Sequence, residues 1–211
     1  MGVRAGLKAG LTAVLLWAVS AVGVSAQEEP GAARGVARLA TAAQLADWGR
    51  ERDDPGALIL AARMVGEVPV RAQGEAAPFF TADALLDEAL AMSDGDPAYA
   101  AAIAVVRQDP NRGVVSSPYG DGPIATVKTM RAREAYGFDV TARPNEILRV
   151  AGIGDGDAPL DLVIREGSRV LCRSGLVDHY PVCTVRPRTG RVRIEVTNGG
   201  AIWTRVQILS N

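Results

Sequence analysis

A change in hydrophobic periodicity at Ile124 constrains this chain more than any other feature. From that residue onward, apolar and polar residues alternate in short runs, which is the pattern of strands with one buried face. In the run 191–196, Val192, Ile194 and Val196 are expected to face a core, and the charged residues between them to face solvent. The predicted strands cover residues 136–142, 146–153, 160–164, 169–173, 182–186, 191–196 and 202–209. Glycine- and proline-containing turns separate these runs, so residues 124–211 are predicted to form a jelly-roll-like antiparallel β-sandwich.

The residues before Ile124 show helical spacing instead. The predicted helices cover residues 36–50, 57–65, 82–92 and 98–107. Asp54-Pro55, Thr81 and Asp96-Pro97 are typical of helix starts, because they supply a side-chain cap or a fixed φ. The sequence therefore predicts an α+β protein of separate domains. These are a small α-helical domain at 27–107, a Pro- and Gly-rich linker at 108–123, and the sandwich at 124–211.

The helical half has a weak internal repeat. Its two Asp-Pro turns, at Asp54 and Asp96, lie 42 residues apart. With the alanine-rich helix faces, they resemble the helical pairs of tetratricopeptide repeats, whose period is about 34 residues. The alternative is a small helical bundle packed through alanine.

The first 26 residues have the pattern of a secretory signal peptide. Arg4 and Lys8 precede an uncharged, mostly apolar run at 11–24, and small residues precede the expected cleavage site. The run is shorter than the roughly 20 residues of a membrane span, and no later segment is long and apolar enough to span. We expect cleavage near Ala26 and a periplasmic or secreted chain without a transmembrane span. An uncleaved N-terminal anchor is the alternative.

Export bears on the two cysteines. Cys172 and Cys183 are the only cysteines, and an oxidising compartment favours a disulfide between them. They lie in two predicted strands, 169–173 and 182–186, so the bridge is expected to staple the loop between those strands. A redox-active pair is the alternative, but the Cys-x-x-Cys spacing typical of one is absent.

Several fragments of the C-terminal half occur in the order found in a known bacterial family. They are Phe138-Asp139-Val140-Thr141-Ala142, Gly154-Asp155-Gly156-Asp157, Leu160-Asp161-Leu162, Glu166-Gly167, Arg188-Thr189-Gly190 and Val196-Thr197-Asn198-Gly199-Gly200. Through them, residues 135–211 resemble the pre-peptidase C-terminal domain, a β-sandwich attached to secreted enzymes. The resemblance implies an accessory module that contacts substrate or assists folding and has no catalytic machinery of its own.

Some members of that family bind calcium through acidic loop residues, which makes Asp155, Asp157 and Asp161 candidate ligands. Together with Glu166 they follow the ligand spacing of an EF-hand, but Leu160 stands at the sixth position, where that loop requires glycine. An EF-hand is therefore excluded. A looser calcium site remains one hypothesis, and a solvated turn is the alternative.

Four arginines surround the predicted turn after the second cysteine: Arg186, Arg188, Arg191 and Arg193. Such a cluster can attract an anionic envelope polymer or an acidic protein surface. An ordinary solvated hairpin is one alternative. Another is docking onto the helical half, because residues 27–123 carry 8 basic and 15 acidic side chains, whereas residues 124–211 carry 13 and 9.

Few side chains are available for catalysis. His179 is the only histidine, in a predicted loop beside Asp178, without a Gly-x-Ser-x-Gly elbow or a phosphate-binding motif anywhere in the chain. We therefore predict a loop residue and no catalytic residues. A net charge of −1 excludes a strongly basic nucleic-acid-binding protein, and one histidine with two cysteines excludes His-rich and all-cysteine zinc sites.

These observations predict an exported, non-enzymatic protein that acts as a binding or scaffolding module, with an envelope protein or an anionic envelope polymer as partner. Two alternatives stay open. One is an envelope hydrolase that uses carboxylates in an interdomain cleft, and the other is a calcium-dependent binding module.

Overall fold

The computed structural model describes Gly2 and residues 29–109, 122–175 and 178–211. The predicted signal peptide and residues 110–121 of the predicted linker lie outside the described residues. The described helices are α1 (Gly31–Arg50), α2 (Pro55–Gly66), α3 (Ala82–Met92) and α4 (Pro97–Gln108). The described strands are β1 (Arg71–Gln73), β2 (Ile124–Met130), β3 (Ala135–Thr141), β4 (Leu148–Gly154), β5 (Leu160–Glu166), β6 (Arg169–Ser174), β7 (Val182–Val185), β8 (Arg191–Asn198) and β9 (Thr204–Ser210).

The elements stack in three layers. The helix-side sheet has the strand order β1-β2-β9-β4-β7, and the outer sheet has the order β3-β8-β5-β6. The two sheets enclose one apolar core, and the helices cover the other face of the helix-side sheet with a second core. The predicted α+β fold with a β-sandwich is confirmed.

Alternation builds the outer sheet as predicted. Val192, Ile194 and Val196 of β8 are fully buried, whereas Arg191 and Arg193, which precede Val192 and Ile194, are exposed. The apolar side chains of β3 lie opposite the three buried valine and isoleucine residues in an antiparallel ladder. One face of this sheet therefore packs on the sandwich core and the other faces solvent.

Two of the three inner strands of the helix-side sheet, β4 and β9, are buried on both faces. In β9, Val206 and Ile208 belong to the sandwich core, while Leu209 belongs to the core shared with the helices. In β4, Val150 faces the sandwich and Ile153 faces the helices. Strands buried on both faces carry nearly continuous apolar runs, which is why these two segments alternate less clearly than β8.

The helices begin where the sequence predicts. The Asp54 carboxylate accepts the backbone N–H groups of Gly56 and Ala57 at 2.9 and 3.2 Å. Thr81 and Asp96 cap α3 and α4 in the same way. Helix α2 contacts the other three helices. Gly49 permits the close approach of α1 to α2, because a Cβ at this position would lie 2.7 Å from Leu58 Cδ1.

A short strand between α2 and α3 was not predicted. Strand β1 pairs in parallel with the first residues of β2 and forms one edge of the helix-side sheet. Arg149 of β4 forms an ion pair with Glu29, which precedes α1, and donates to the carbonyl of Ala33 at 3.0 Å. The predicted domain boundaries and the repeat resemblance stay predictions.

The disulfide between Cys172 and Cys183 is confirmed, with a Cα–Cα distance of 5.9 Å. The two strands that carry the cysteines contact each other across the sandwich. Strands β6 and β7 do not pair within one sheet, because β6 is an edge strand of the outer sheet and β7 an edge strand of the helix-side sheet. The bridge therefore joins the two layers of the sandwich at one of its open sides. Among the described residues, no helix combines the length and apolar character needed to cross a membrane.

Candidate functional site

A groove of about 750 Å³ lies between the helices and the β1 edge of the helix-side sheet. Most of its lining is apolar and comes from the end of α2, from β1, from the segment between β1 and α3, and from the start of α3, with the end of α4 also contributing. The lining includes Val65, Val68, Val70, Ala72, Phe80 and Gln207. This groove was not identified from the sequence.

Gln207 is the buried polar side chain of the groove. It is 1% exposed, and its Oε1 accepts the backbone N–H groups of Phe79 and Phe80, both at 3.0 Å. Because two donors point at this oxygen, the orientation of the amide is fixed, and the Nε2 group must lie on the other side. Nε2 is buried and has no hydrogen-bond partner among the residues that the structure describes. Gln207, one of the residues that line the groove, thus carries a buried donor without an acceptor among the described residues.

The register of β9 explains why Gln207 faces the helices. It lies opposite Val127 of β2 and Ile153 of β4, in the ladder whose buried residues alternate between the two cores. Arg205 lies two residues earlier on the same face, and its guanidinium stacks over the Phe79 ring at 4.7 Å. Gln207 and Arg205 thus hold the segment before α3 against the sheet and fix one wall of the groove.

A second polar cluster lies where α1 and α3 meet the sheet. Arg50 of α1 makes two hydrogen bonds to the Glu88 carboxylate of α3, at 2.6 and 2.8 Å. The Tyr180 hydroxyl donates to Asp47 at 3.2 Å. Burial raises the pKa of Tyr180 well above its ordinary value, and the Asp47 carboxylate raises it further. Hydrogen bonding to Glu88 raises the pKa of Arg50.

This cluster is better suited to holding layers together than to acid–base catalysis. Glu88 is occupied by Arg50, and Asp47 by Tyr180. The adjacent cavity measures only about 130 Å³. A glycosidase-type site needs two carboxylates that face each other across space for a sugar, and this pair of engaged carboxylates does not supply it.

His179 lies in the loop before β7, as predicted. Its Nδ1 is buried without a hydrogen-bond partner in the described part of the chain, and its backbone carbonyl accepts the N–H of Gly154 at 3.0 Å. The neighbouring polar side chains bond the backbone of the loop. Asp178 accepts the N–H of Tyr180, and Ser174 accepts the N–H of Val182. These contacts give Ser174, Asp178 and His179 structural roles and do not form a nucleophilic triad.

The three predicted calcium ligands have different structural surroundings. Asp155 accepts the Thr204 hydroxyl at 2.5 Å and the Arg205 N–H at 2.8 Å, and so fixes the start of β9. Asp157 is exposed in the turn, and Asp161 lies on the outer face of β5. Within the described ranges, no three His, Cys, Asp or Glu side chains are grouped closely enough to hold a metal ion.

The four predicted arginines also have different positions. Arg191 and Arg193 lie on the outer face of β8, with their guanidinium groups 3.9 and 3.7 Å from Asp139. Arg186 donates to the carbonyl of Asn145 at 3.1 Å. Since the helices cover the helix-side sheet, Arg191 and Arg193 do not dock them. Arg149 performs that role instead.

The turn around Arg188 is held by a carboxylate. Glu166 accepts the backbone N–H groups of Arg188 and Thr189 at 2.8 and 2.5 Å. These hydrogen bonds, that of Thr189 above all, lower the pKa of the Glu166 carboxyl. Glu166 and Asp139 place negative charge among the arginines, so the surface is of mixed sign. Binding of an anionic polymer there stays a prediction.

Comparisons with known proteins add only general structural likeness. No protein-family model matches the chain, and no curated protein matches it. The pre-peptidase C-terminal domain of a Bacillus anthracis collagenase is similar at 6% identity and a TM-score of 0.27, over 44% of this chain and 79% of that one. A periplasmic inhibitor of g-type lysozyme from Aeromonas hydrophila is similar at 9% identity and a TM-score of 0.31, over 42% and 86%.

A carbohydrate-binding module of the CBM36 type, solved with calcium and xylotriose, is similar at 18% identity and a TM-score of 0.26, over 49% of this chain and 82% of that one. These similarities cover less than half of the chain and extend no further than β-sandwich architecture. The resemblance of residues 135–211 to the pre-peptidase family stays a prediction.

Proposed function

We propose that the protein is an exported, non-enzymatic binding module whose ligand lies in the groove beside Gln207. The observation that carries the proposal is the buried Nε2 donor without an acceptor. Leaving such a donor unpaired costs about 1–3 kcal/mol. A ligand with an acceptor atom removes that cost, which gives the groove a specific preference.

The lining defines the kind of ligand. Valine, alanine and phenylalanine side chains are prominent in the lining, and Glu75, Asp83, Arg107 and Asp109 add charged groups to it. With the buried Gln207 donor, this lining suits a ligand with an apolar body and at least one carbonyl-type acceptor. Small-molecule sites typically enclose about 300–1,000 Å³ and combine apolar walls with a few placed polar groups. A volume of about 750 Å³ falls within that range.

The rigidity of the groove and the disulfide also support the proposal. Gln207 stands on a strand that is hydrogen-bonded on both sides, and Phe79 and Phe80 are tied to the same strand. A donor on such a scaffold is preorganised, which reduces the free-energy cost of binding. The Cys172–Cys183 bridge suits an oxidising compartment, so we place the protein in the periplasm or outside the cell.

The proposal is tested with prodan, a neutral naphthalene ketone whose fluorescence depends on solvent polarity. The chain from Gln27 onward contains every described helix and strand and is titrated with the dye. We expect saturable binding with emission at shorter wavelength. Gln207→Glu keeps an oxygen for Phe79 and Phe80 but removes the amide donor, so affinity is expected to fall about tenfold.

Two alanine variants provide the steric test. Ala72→Trp fills the groove from β1 and is expected to abolish saturable binding. Ala135→Trp is the matched control, because Ala135 is an exposed alanine on an edge strand of the outer sheet. Equal dye affinity in the wild type, Gln207→Glu and Ala72→Trp contradicts the proposed site.

A further inference from the structure

Two large apolar side chains stand exposed at one end of the sandwich. Ile202 and Trp203, in the loop between β8 and β9, are 54% and 57% exposed. They are adjacent in sequence and directly precede the first residue of β9. Exposed tryptophan and isoleucine at a loop tip leave apolar surface in water that a partner can cover.

A buried asparagine holds this tip in place. Asn198 is fully buried, and its Nδ2 donates to the carbonyls of Arg131 and Ile202 at 3.0 and 2.8 Å. Its Oδ1 accepts the N–H of Gly200 at 2.8 Å. The amide therefore ties the β2–β3 turn to the β8–β9 loop, so the tip is a fixed structure whose exposed side chains are presented in a defined place.

The tied turn brings two arginines beside the apolar pair, with the exposed Glu134 carboxylate in the same turn and Asp155 bonded to Thr204 at the same end. Met130, the last residue of β2, lies opposite Thr204, the first residue of β9. Arg131 follows Met130 and Trp203 precedes Thr204, so both residues lie at the same end of the ladder. Arg131 and Arg133 are exposed. Neither guanidinium has an ion pair or hydrogen bond with another described residue. The nearby Glu134 carboxylate accepts the backbone N–H of Arg131 and does not bond its side chain.

We propose that this tip, formed by Arg131, Arg133, Ile202 and Trp203, docks onto an anionic lipid bilayer. Tryptophan settles at the interface between headgroups and acyl chains, where its ring is apolar and its N–H stays hydrogen-bonded. The two arginines match the charge of anionic headgroups. The groove adjoins β1 at the Ile124 end of β2, whereas the tip follows Met130 at the other end, so both sites can be occupied together.

The test uses the chain from Gln27 onward, in which Trp48 and Trp203 are the only tryptophans. Trp48→Phe leaves Trp203 as the single emitter. With vesicles of phosphatidylcholine containing phosphatidylglycerol, we expect Trp203 emission to move to shorter wavelength and the protein to co-sediment. With vesicles of phosphatidylcholine alone, both effects are expected to be much weaker, and salt is expected to reverse the binding.

Two further variants separate the contributions. Arg131→Gln with Arg133→Gln is expected to weaken binding to the anionic vesicles by roughly 25-fold, because each arginine near such a surface contributes about fivefold. Ile202→Ser with Trp203→Ser is expected to abolish co-sedimentation. Val105→Ser is the matched control, since Val105 is 71% exposed on α4.

Four results overturn the proposal. The first is Trp203 emission that stays unchanged with anionic vesicles. The second is equal binding to neutral vesicles, and the third is equal loss of binding in Val105→Ser. An emission change with an insoluble envelope glycan and none with vesicles also overturns it, because the tip is then a glycan-binding surface. None of these readouts depends on the groove beside Gln207.

Discussion

Removing the disulfide is expected to lower the free energy of unfolding by about 3 kcal/mol. The bridge closes a loop of 11 residues in sequence and joins edge strands of two different sheets. Its loss releases chain entropy in the unfolded state and frees one open side of the sandwich. Urea unfolding of the Cys172→Ser, Cys183→Ser double variant against the wild type measures the change.

Chemical reduction supplies the control for that experiment. A reducing agent is expected to shift the wild-type unfolding midpoint to that of the double variant and to leave the double variant unchanged. A stability loss below about 1 kcal/mol, or free thiols in protein recovered from the cell envelope, contradicts the role given to the bridge.

Shortening the buried side chains of β9, the strand shared by both cores, is expected to lower the free energy of unfolding more than any other change. Leu209→Ala removes a fully buried side chain between β9 and the helices, and Ile208→Ala removes one between β9 and the outer sheet. Each change is expected to destabilise the protein by about 2–5 kcal/mol. Because both side chains belong to one strand, the helices and the sandwich are expected to unfold in a single transition in each variant.

Two spectroscopic signals follow this unfolding. Circular dichroism at helix wavelengths and aromatic fluorescence are expected to change at the same denaturant concentration. Val105→Ala on the exposed face of α4 is the control, with an expected effect below about 0.5 kcal/mol. Helices that melt separately from an intact sandwich in Leu209→Ala contradict a shared strand.

Periodicity predicted the elements well because local patterns determine them. Strand β8 alternates strictly and is buried as expected, and Asp54, Thr81 and Asp96 cap their helices. The layering was harder to predict. The apolar run of β4 and β9 indicates strands buried on both faces, yet a run of this kind does not say which element covers the second face.

Long-range pairing explains the remaining differences. Strand β1 has three residues, too few for a recognisable period, and it exists because β2 offers an edge. Cys172 and Cys183 were paired correctly, since the choice was limited to one pair, but sequence spacing does not reveal that their strands belong to different sheets.

The candidate groove escaped prediction because its residues carry no catalytic or metal-binding signature. Gln207 does give one local signal: it is a polar residue within the otherwise apolar run from Val206 to Leu209. The predicted aspartates and arginines were chosen by proximity in sequence. In the fold, Asp155 accepts a hydrogen bond from β9 and Arg186 donates one to the carbonyl of Asn145. Residues that are close in sequence therefore do not form one site.

The most direct test of the proposed function is the nuclear magnetic resonance signal of the Gln207 side-chain amide. This signal is assigned by its absence in Gln207→Glu and is followed during titration with prodan. We expect both amide protons to shift and at least one to exchange more slowly with solvent, because the Nε2 group gains an acceptor. Gln207 signals that stay unchanged while prodan binds elsewhere on the protein contradict the groove as the binding site.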